Sequence, residues 1–286
     1  MKVPGWVDKL LKKKPQLEHA MGAPMGRVFG CGHFGCVFKS EPPWSVKLTR
    51  DPTEGPIWQL LADWMSEHPY GDDGIARVKE VVRLKPDIRW RRKEWPLYGI
   101  VREEVEPLLE DNLLSDYSRK KLGLGTMNLY EVLRQPHAFN SLPQPAKGNA
   151  TELRSLLGGL DVYKDAAEEY HHAAALKRPS NRERRMDNAM EQAWRAINMM
   201  RGPVGGPIGE TLSALTDQGV VLRDVHWNNI GWRLHESIGD EDELPLSLII
   251  FDPGHTPTKE RELRTEMLEN PWPVGATPRT RTRRIE

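Results

Sequence analysis

The chain has 286 residues, of which 38% are hydrophobic and 29% are charged, a composition typical of one large or two small globular domains. Its 41 basic and 41 acidic residues balance, which excludes a whole-protein electrostatic attraction to nucleic acid or to an anionic membrane. No apolar run approaches the ~18 residues of a membrane-spanning helix, so we expect neither a membrane nor a nucleic acid as partner.

The cysteine content and the N-terminus suggest a compartment. Two cysteines, Cys31 and Cys36, are too few for a disulfide framework or a structural zinc site. The basic N-terminus lacks the continuous apolar stretch of a secretory signal. We therefore expect reduced thiols and a cytoplasmic location.

The first third of the chain alternates between strand and helix patterns. Residues 1–25 predict a short amphipathic helix and a linker, together an N-terminal extension. From residue 26 to residue 105 the patterns predict three strands, one helix and two strands, at residues 27–30, 36–39, 44–49, 53–67, 74–84 and 95–101.

From residue 106 to residue 286 the patterns predict mainly helices. The helical part covers residues 107–218. It contains a Pro- and Asn-rich loop at residues 135–152, followed by helices at residues 165–200 and 207–215. His171 and His172 are predicted on a solvated helix face. Three short strands follow at residues 220–223, 230–234 and 246–251. A helix is predicted at residues 258–269 and a solvated basic tail at residues 277–284.

A glycine-rich motif lies between the first two predicted strands. The residues from Gly30 to Val37 follow the pattern G-x-G-x-x-G-x-V, with Gly32 and Gly35 as the inner glycines. Glycine has no side chain to keep backbone N–H groups away from phosphate oxygens. Because strand-forming residues follow, the pattern predicts a flap between two strands and not the strand-to-helix turn of a Rossmann fold. Alone, the motif is also typical of a plain hairpin.

Four polar residues later in the chain occupy positions with possible chemistry. Lys47 is flanked by apolar residues in a predicted strand, where it would need an anion if buried and none if it faces solvent. Asp224 and Asn229 are five residues apart, so the aspartate could accept a hydroxyl proton and the asparagine oxygen could bind Mg²⁺. Asp252 comes at the end of a predicted apolar strand. This position is typical of a metal ligand and also of the start of an ordinary turn.

The order of these elements resembles the signature set of the protein-kinase-like superfamily. A glycine-rich flap, a strand lysine, a helix, a hinge, an Asp-x-His-x-x-Asn loop and an Asp-Pro-Gly sequence follow one another. The resemblance covers residues 26–105 and 207–255 and is nearest to compact bacterial and phage kinases, and aminoglycoside phosphotransferases share the histidine. It implies an α+β fold with an antiparallel-sheet N-lobe (residues 26–105), a mainly helical C-lobe (residues 106–286), and ATP and Mg²⁺ between them.

The resemblance also implies roles for residues of the expected N-lobe. The three motif glycines and Val37 would cover the ATP phosphates, with Phe34 at the loop tip, and Lys47 would contact the α- and β-phosphates. The residues after the last N-lobe strand would form the hinge that meets adenine, namely Glu103, Glu104 and Val105.

In the expected C-lobe, the resemblance implies that Asp224, preceded by Arg223, is the catalytic aspartate near the acceptor hydroxyl. Asn229 and Asp252 would hold Mg²⁺. Two departures from the family pattern bear on which substrate docks and how it docks. Pro253 stands where kinases have phenylalanine, and the 32 residues after Gly254 cannot form a full activation segment.

Lys47 is expected to pair with a carboxylate of the following helix. At 100° per residue the apolar stripe centres near Ile57, and Glu54 lies roughly 45° from that centre. Glu67 lies roughly 90° away and Asp63 roughly 130°. We therefore prefer Glu54, with Glu67 as the alternative because ordinary kinases place this residue farther along the helix.

The function that the resemblance implies is transfer of the ATP γ-phosphate to a Ser or Thr hydroxyl of a protein. A small-molecule kinase of the aminoglycoside type, acting on a small hydroxyl-bearing molecule, is one alternative. A nucleotide-binding pseudokinase scaffold is the other. The complete set of Lys47, Asp224, Asn229 and Asp252 argues against the scaffold.

Overall fold

A computed structural model shows a mixed α+β protein, in agreement with the predicted fold class. It describes residues 3–32, 34–67, 74–90, 93–111, 113–134, 142–176, 178–234, 248–253 and 281–284. The strands are β1 (Val28–Cys31), β2 (Gly35–Lys39), β3 (Trp44–Thr49), β4 (Val78–Trp90), β5 (Lys93–Glu103), β6 (Val105–Pro107), β7 (Leu109–Glu110), β8 (Leu113–Leu114), β9 (Ile230–Arg233), β10 (Leu248–Ile250) and β11 (Arg281–Arg284).

The helices fall into an N-terminal pair, one helix after β3 and a later group. They are α1 (Gly5–Leu11), α2 (Lys14–Met21), α3 (Glu54–Glu67), α4 (Asp116–Leu122), α5 (Leu129–Arg134), α6 (Ala146–Ala174), α7 (Pro179–Met199) and α8 (Gly206–Asp217), with a 3₁₀ turn at Trp227–Asn229. Among the described helices, none is both long and apolar enough to cross a membrane.

The largest sheet has the strand order β1-β2-β3-β5-β4-β11 and is covered on both faces. Side chains alternate between the faces of a strand. Val46 and Leu48 of β3 therefore join a core with Leu17 and Met21 of α2, while Lys47 between them faces the other way. A Cβ at Gly99 of β5 would lie 2.5 Å from the Met21 sulfur, so the glycine allows α2 to approach the sheet closely.

A second core fills the space between α3, the later helices and the sheet β10-β9-β6. The stripe predicted for α3 is its buried face: Ile57, Leu60, Leu61 and Trp64 all belong to this core. The N-terminal extension is therefore part of a core on one face of the large sheet, and the later helices form a core with α3.

Two elements predicted after residue 106 differ from the structure. The loop predicted for residues 135–152 ends earlier, because α6 begins at Ala146. Ala150, Leu153 and Leu157 lie at helical spacing and are completely buried, and this burial outweighs the turn-forming composition around them. The strand predicted at residues 220–223 is irregular backbone.

The basic tail is also not simply solvated where it is described. β11 pairs in parallel with β4, with Arg281 opposite Val82 and Arg284 opposite Lys85. The Arg283 guanidinium pairs with Glu80 at 3.0 Å, and backbone pairing to an open sheet edge explains why this polar segment is ordered. The helix predicted at residues 258–269 lies outside the described residues.

Candidate active site

A cleft of about 520 Å³ brings together residues from distant parts of the chain. It is bordered by the β1–β2 hairpin, β3, the start of α3, the loop before β9 and the residues after β10. Of the residues predicted from the sequence, twelve line the cleft: Gly30, Gly32, Phe34, Gly35, Val37, Lys47, Glu54, Glu104, Val105, Asp224, Asn229 and Asp252. Two others, Glu103 and Arg223, do not.

Lys47 lies at the centre of the cleft wall. In β3 it is directly opposite Val37 of β2 and Ile100 of β5, so its side chain leaves a central strand. Its Nζ forms the expected ion pair with Glu54 and lies 2.6 Å from Oδ2 of Asp252. Burial lowers the pKa of Lys47, but the two carboxylates outweigh burial, so its pKa is raised and the ammonium stays charged.

His226 organises the loop that carries Asp224. Its Nδ1 accepts a hydrogen bond from the backbone N–H of Asn228 at 3.2 Å, so a neutral ring carries its proton on Nε2, which also lies 3.3 Å from Nδ2 of Asn229. Nε2 lies 3.3 Å from Oδ1 of Asp224 and can donate to it. The histidine therefore fixes the direction of the Asp224 carboxylate, as an orienting group does beside a catalytic base.

Asn229 and Asp252 have the chemistry of magnesium ligands. The Asn229 amide donates through Nδ2 to the backbone oxygen of Asp224 at 2.9 Å, so its Oδ1 is the acceptor end of the side chain. No group of three or more His, Cys, Asp and Glu with metal-binding geometry occurs in the described part of the chain. Mg²⁺ bound through few protein oxygens together with phosphate oxygens needs no such group, so these two residues fit that ion.

The glycine-rich motif forms the tight end of the β1–β2 hairpin. The backbone N–H of Gly32 donates to the Gly35 oxygen at 2.8 Å. A Cβ built on Gly30 or on Gly32 would meet no atom within 4 Å, whereas one on Gly35 would lie 2.5 Å from the Leu48 oxygen. Gly35 is thus required by packing against β3, and the other two glycines leave open space beside the cleft.

The two cysteines are joined by a disulfide, contrary to the expectation of reduced thiols. Cys31 and Cys36 are directly opposite each other in the antiparallel pair β1–β2. The spacing of the cysteines gave no indication of this pairing, which depends on the register of the hairpin. The bond closes the base of the glycine-rich turn.

The predicted hinge divides into a structural part and a part that lines the cleft. The Glu103 carboxylate is buried and pairs with Arg233 at 3.0 Å, which turns it away from the cleft. The backbone N–H groups of Glu103 and Glu104 donate to the oxygens of Arg77 and Pro43. Those two amides already have partners within the protein, and Val105, the next hinge residue, lies in β6 opposite Arg233 of β9 and lines the cleft.

Arg223 and His171 lie behind the loop that carries Asp224. The His171 Nε2 is 2.8 Å from the Val221 oxygen, and burial lowers the pKa of this histidine, with a smaller contribution from Arg223. The prediction that His171 lies on a solvated face is therefore wrong, while His172 is exposed. α6 supports the segment before Asp224 through this contact.

Two charged residues of the cleft were not predicted from the sequence. Arg102 is buried, with its guanidinium 5.6 Å from the Trp58 ring and 5.4 Å from the Phe251 ring. The Asp51 carboxylate accepts hydrogen bonds from the backbone and hydroxyl of Thr53, and burial raises the pKa of Asp51 to about 7. Arg102 lies two residues after Ile100, the partner of Lys47 in the sheet, and therefore faces the same side as Lys47, but this follows from strand register and not from a sequence pattern.

Comparisons with protein-family models, with curated proteins and with solved structures find no match for this chain. The resemblance to protein kinases therefore stays a prediction from the order of the motifs in the sequence.

Proposed function

We propose that this chain is an ATP- and Mg²⁺-dependent phosphotransferase with a bilobal protein-kinase-like fold, acting on Ser or Thr hydroxyls of a protein. The observation that carries the proposal is the contact of Lys47 with both Glu54 and Asp252, the latter 205 residues along the chain. Together with the Asp224–Asn229 loop on the same cleft, this arrangement supports phosphoryl transfer more specifically than any motif alone.

In this proposal the cleft binds ATP through charge and backbone groups. The open space beside Gly30 and Gly32 would let phosphate oxygens approach the backbone of the turn, and Lys47 would supply a positive charge beside them. Mg²⁺ held by Asn229 and Asp252 would neutralise negative charge on the phosphates. Val105, which lines the cleft, would meet the adenine end of the nucleotide.

The transfer step uses Asp224 as the acceptor of the hydroxyl proton. The acceptor oxygen forms a bond to the γ-phosphorus, and the bond from that phosphorus to the β,γ-bridging oxygen breaks. The products are a phosphate ester and ADP, and the proton goes to the Asp224 carboxylate. His226 keeps that carboxylate in one orientation, so catalysis is chiefly positioning and charge stabilisation.

The proposal is tested by incubating the purified protein with γ-labelled ATP and Mg²⁺. Asp224→Asn and Asp252→Asn remove one charge each with little change of shape. Asp63→Asn, on the exposed side of α3, is the matched control. We expect label on the protein itself with the wild type and the control, and loss of label in both cleft variants.

A thermal-shift measurement with Mg·ATP separates the alternatives. No label together with a stabilising shift would point to a small-molecule kinase or a scaffold and would overturn the protein-kinase assignment. The absence of both label and shift would overturn nucleotide binding. Label that persists in Asp224→Asn would overturn the role of that carboxylate.

A further inference from the structure

Arg50 connects the tip of the glycine-rich turn with the N-terminal helix. It follows β3 directly, and its backbone N–H donates to the Phe34 oxygen at 3.0 Å. Its guanidinium lies 6.0 Å from the Phe34 ring and 5.5 Å from the Trp6 ring of α1. Only 4% of Arg50 is exposed, so these cation–ring contacts are made where water does not compete strongly.

Trp6 is itself held by the core on the outer face of the sheet. α1 buries Val7 in that core completely, and Trp6 packs against the same core while partly buried. The Phe34 ring also lies 6.4 Å from the Trp95 ring of β5. Phe34, the tip residue of the turn, is therefore in contact with Arg50 and with β5, and Arg50 connects it to Trp6 of α1.

The turn needs such contacts because glycine-rich backbone is intrinsically flexible. The disulfide joins Cys31 and Cys36 on either side of the turn, and Arg50 contacts the turn at Phe34. A loop that is already ordered before a ligand binds costs less conformational entropy on binding.

We propose that Arg50 is a positioning residue for the glycine-rich turn and that Trp6 holds Arg50 in place, which makes the N-terminal helix part of the nucleotide site. This inference rests on the proposed function for its ligand. The ordering of the turn by α1 does not depend on the proposed function and can be measured without nucleotide.

The test compares Trp6→Leu with Trp44→Leu. Both tryptophans are partly buried against the same core, but Trp44 makes its cation contact with Lys79 of β4, away from the turn. The affinity for the Mg²⁺ complex of a non-hydrolysable ATP analogue is measured by calorimetry. Hydrogen exchange of β1 and β2 amides is followed in the nucleotide-free protein.

We expect both variants to lose thermal stability and only Trp6→Leu to affect the turn. Its dissociation constant should rise about three- to tenfold, the equivalent of one cation–ring contact. KM for ATP should rise by the same factor while kcat at saturating ATP changes less than about twofold. Exchange of the β1 and β2 amides should increase in Trp6→Leu alone.

Arg50 variants provide the second arm. Arg50→Met removes the charge and should reproduce the rise in the dissociation constant, whereas Arg50→Lys keeps a cation and should restore part of the affinity. Equal effects of Trp6→Leu and Trp44→Leu on affinity and exchange would overturn the inference. If the wild type binds no nucleotide, the proposed function fails, and the exchange data alone then decide whether α1 orders the turn.

Discussion

Lys47 of β3 and Glu54 in the first turn of α3 form a buried ion pair, with 9% and 4% of the two residues exposed. Burying a charge without a partner is costly, whereas replacing both members of a buried pair can be nearly neutral. Asp252 is a second carboxylate on the same ammonium. Removal of Lys47 therefore takes away the cation that both carboxylates contact and leaves Arg102 as a cation that interacts with them electrostatically.

The first prediction is that Lys47→Met is less stable than the double variant Lys47→Met/Glu54→Gln. The single change leaves the Glu54 charge buried, and we expect a loss of about 3 kcal/mol in the free energy of unfolding. The double variant should recover at least about 1 kcal/mol of this. Urea unfolding of the wild type, both single variants and the double variant measures the coupling, and additive losses would contradict it.

The sequence pattern predicted several residues of the cleft, although the strand predicted before Asp224 is irregular backbone. Lys47, Asp224 and Asp252 each occupy a position defined by a short local pattern of apolar and polar residues. Glu54 could be chosen over Glu67 because helical periodicity assigns each residue to a face. These parts of the site depend only on neighbouring residues in the chain.

The remaining features depend on how distant segments pair. Arg102 faces the cleft because the register of β5 on β3 sets it opposite Ser45, and no single-strand pattern fixes that register. The Cys31–Cys36 bond likewise follows from hairpin register. The pairing of β11 with β4 joins segments about 200 residues apart, so the composition of the basic tail could not reveal it.

The second prediction concerns Asp51 and pH. In the native protein its pKa is raised to about 7, so between about pH 4 and pH 7 the native state keeps a proton that the unfolded state releases. Asp51 therefore lowers the free energy of unfolding progressively as the pH rises through this window. Above the window, the reduction stays constant. Asp51→Asn keeps an oxygen for the Thr53 hydrogen bonds and removes this dependence.

We expect Asp51→Asn to gain stability over the wild type as the pH rises from 4 to 7, by on the order of 2–4 kcal/mol. Denaturant unfolding at several pH values measures the difference. Asp63→Asn on the exposed side of α3 serves as the control and should give a pH-independent difference. A flat difference for Asp51→Asn would show that its carboxyl titrates normally.

The third prediction concerns His226 as the orienting group of Asp224. His226→Ala removes both the bond from the Asn228 amide and the contact with the Asp224 carboxylate. We expect the rate of phosphoryl transfer to fall about 10- to 100-fold, because the Asp224 carboxylate would no longer be held in line with the acceptor hydroxyl. The KM for ATP should stay within about twofold, since the histidine is not expected to bind the nucleotide. A rise in KM with an unchanged rate would assign His226 to binding instead.

The fourth prediction is that the Cys31–Cys36 disulfide stabilises the protein. A bond between cysteines five positions apart closes a short loop, and the chain-entropy relation assigns about 2 kcal/mol to such a loop. Thiol titration of the unfolded, unreduced protein should find no reactive thiol, and reduction should expose two, the full cysteine content of the chain. A mild reductant should lower the free energy of unfolding of the wild type by about 2 kcal/mol and leave that of Cys31→Ala/Cys36→Ala unchanged. If two thiols react before reduction, or if the reductant affects wild type and variant alike, the bond does not stabilise the hairpin.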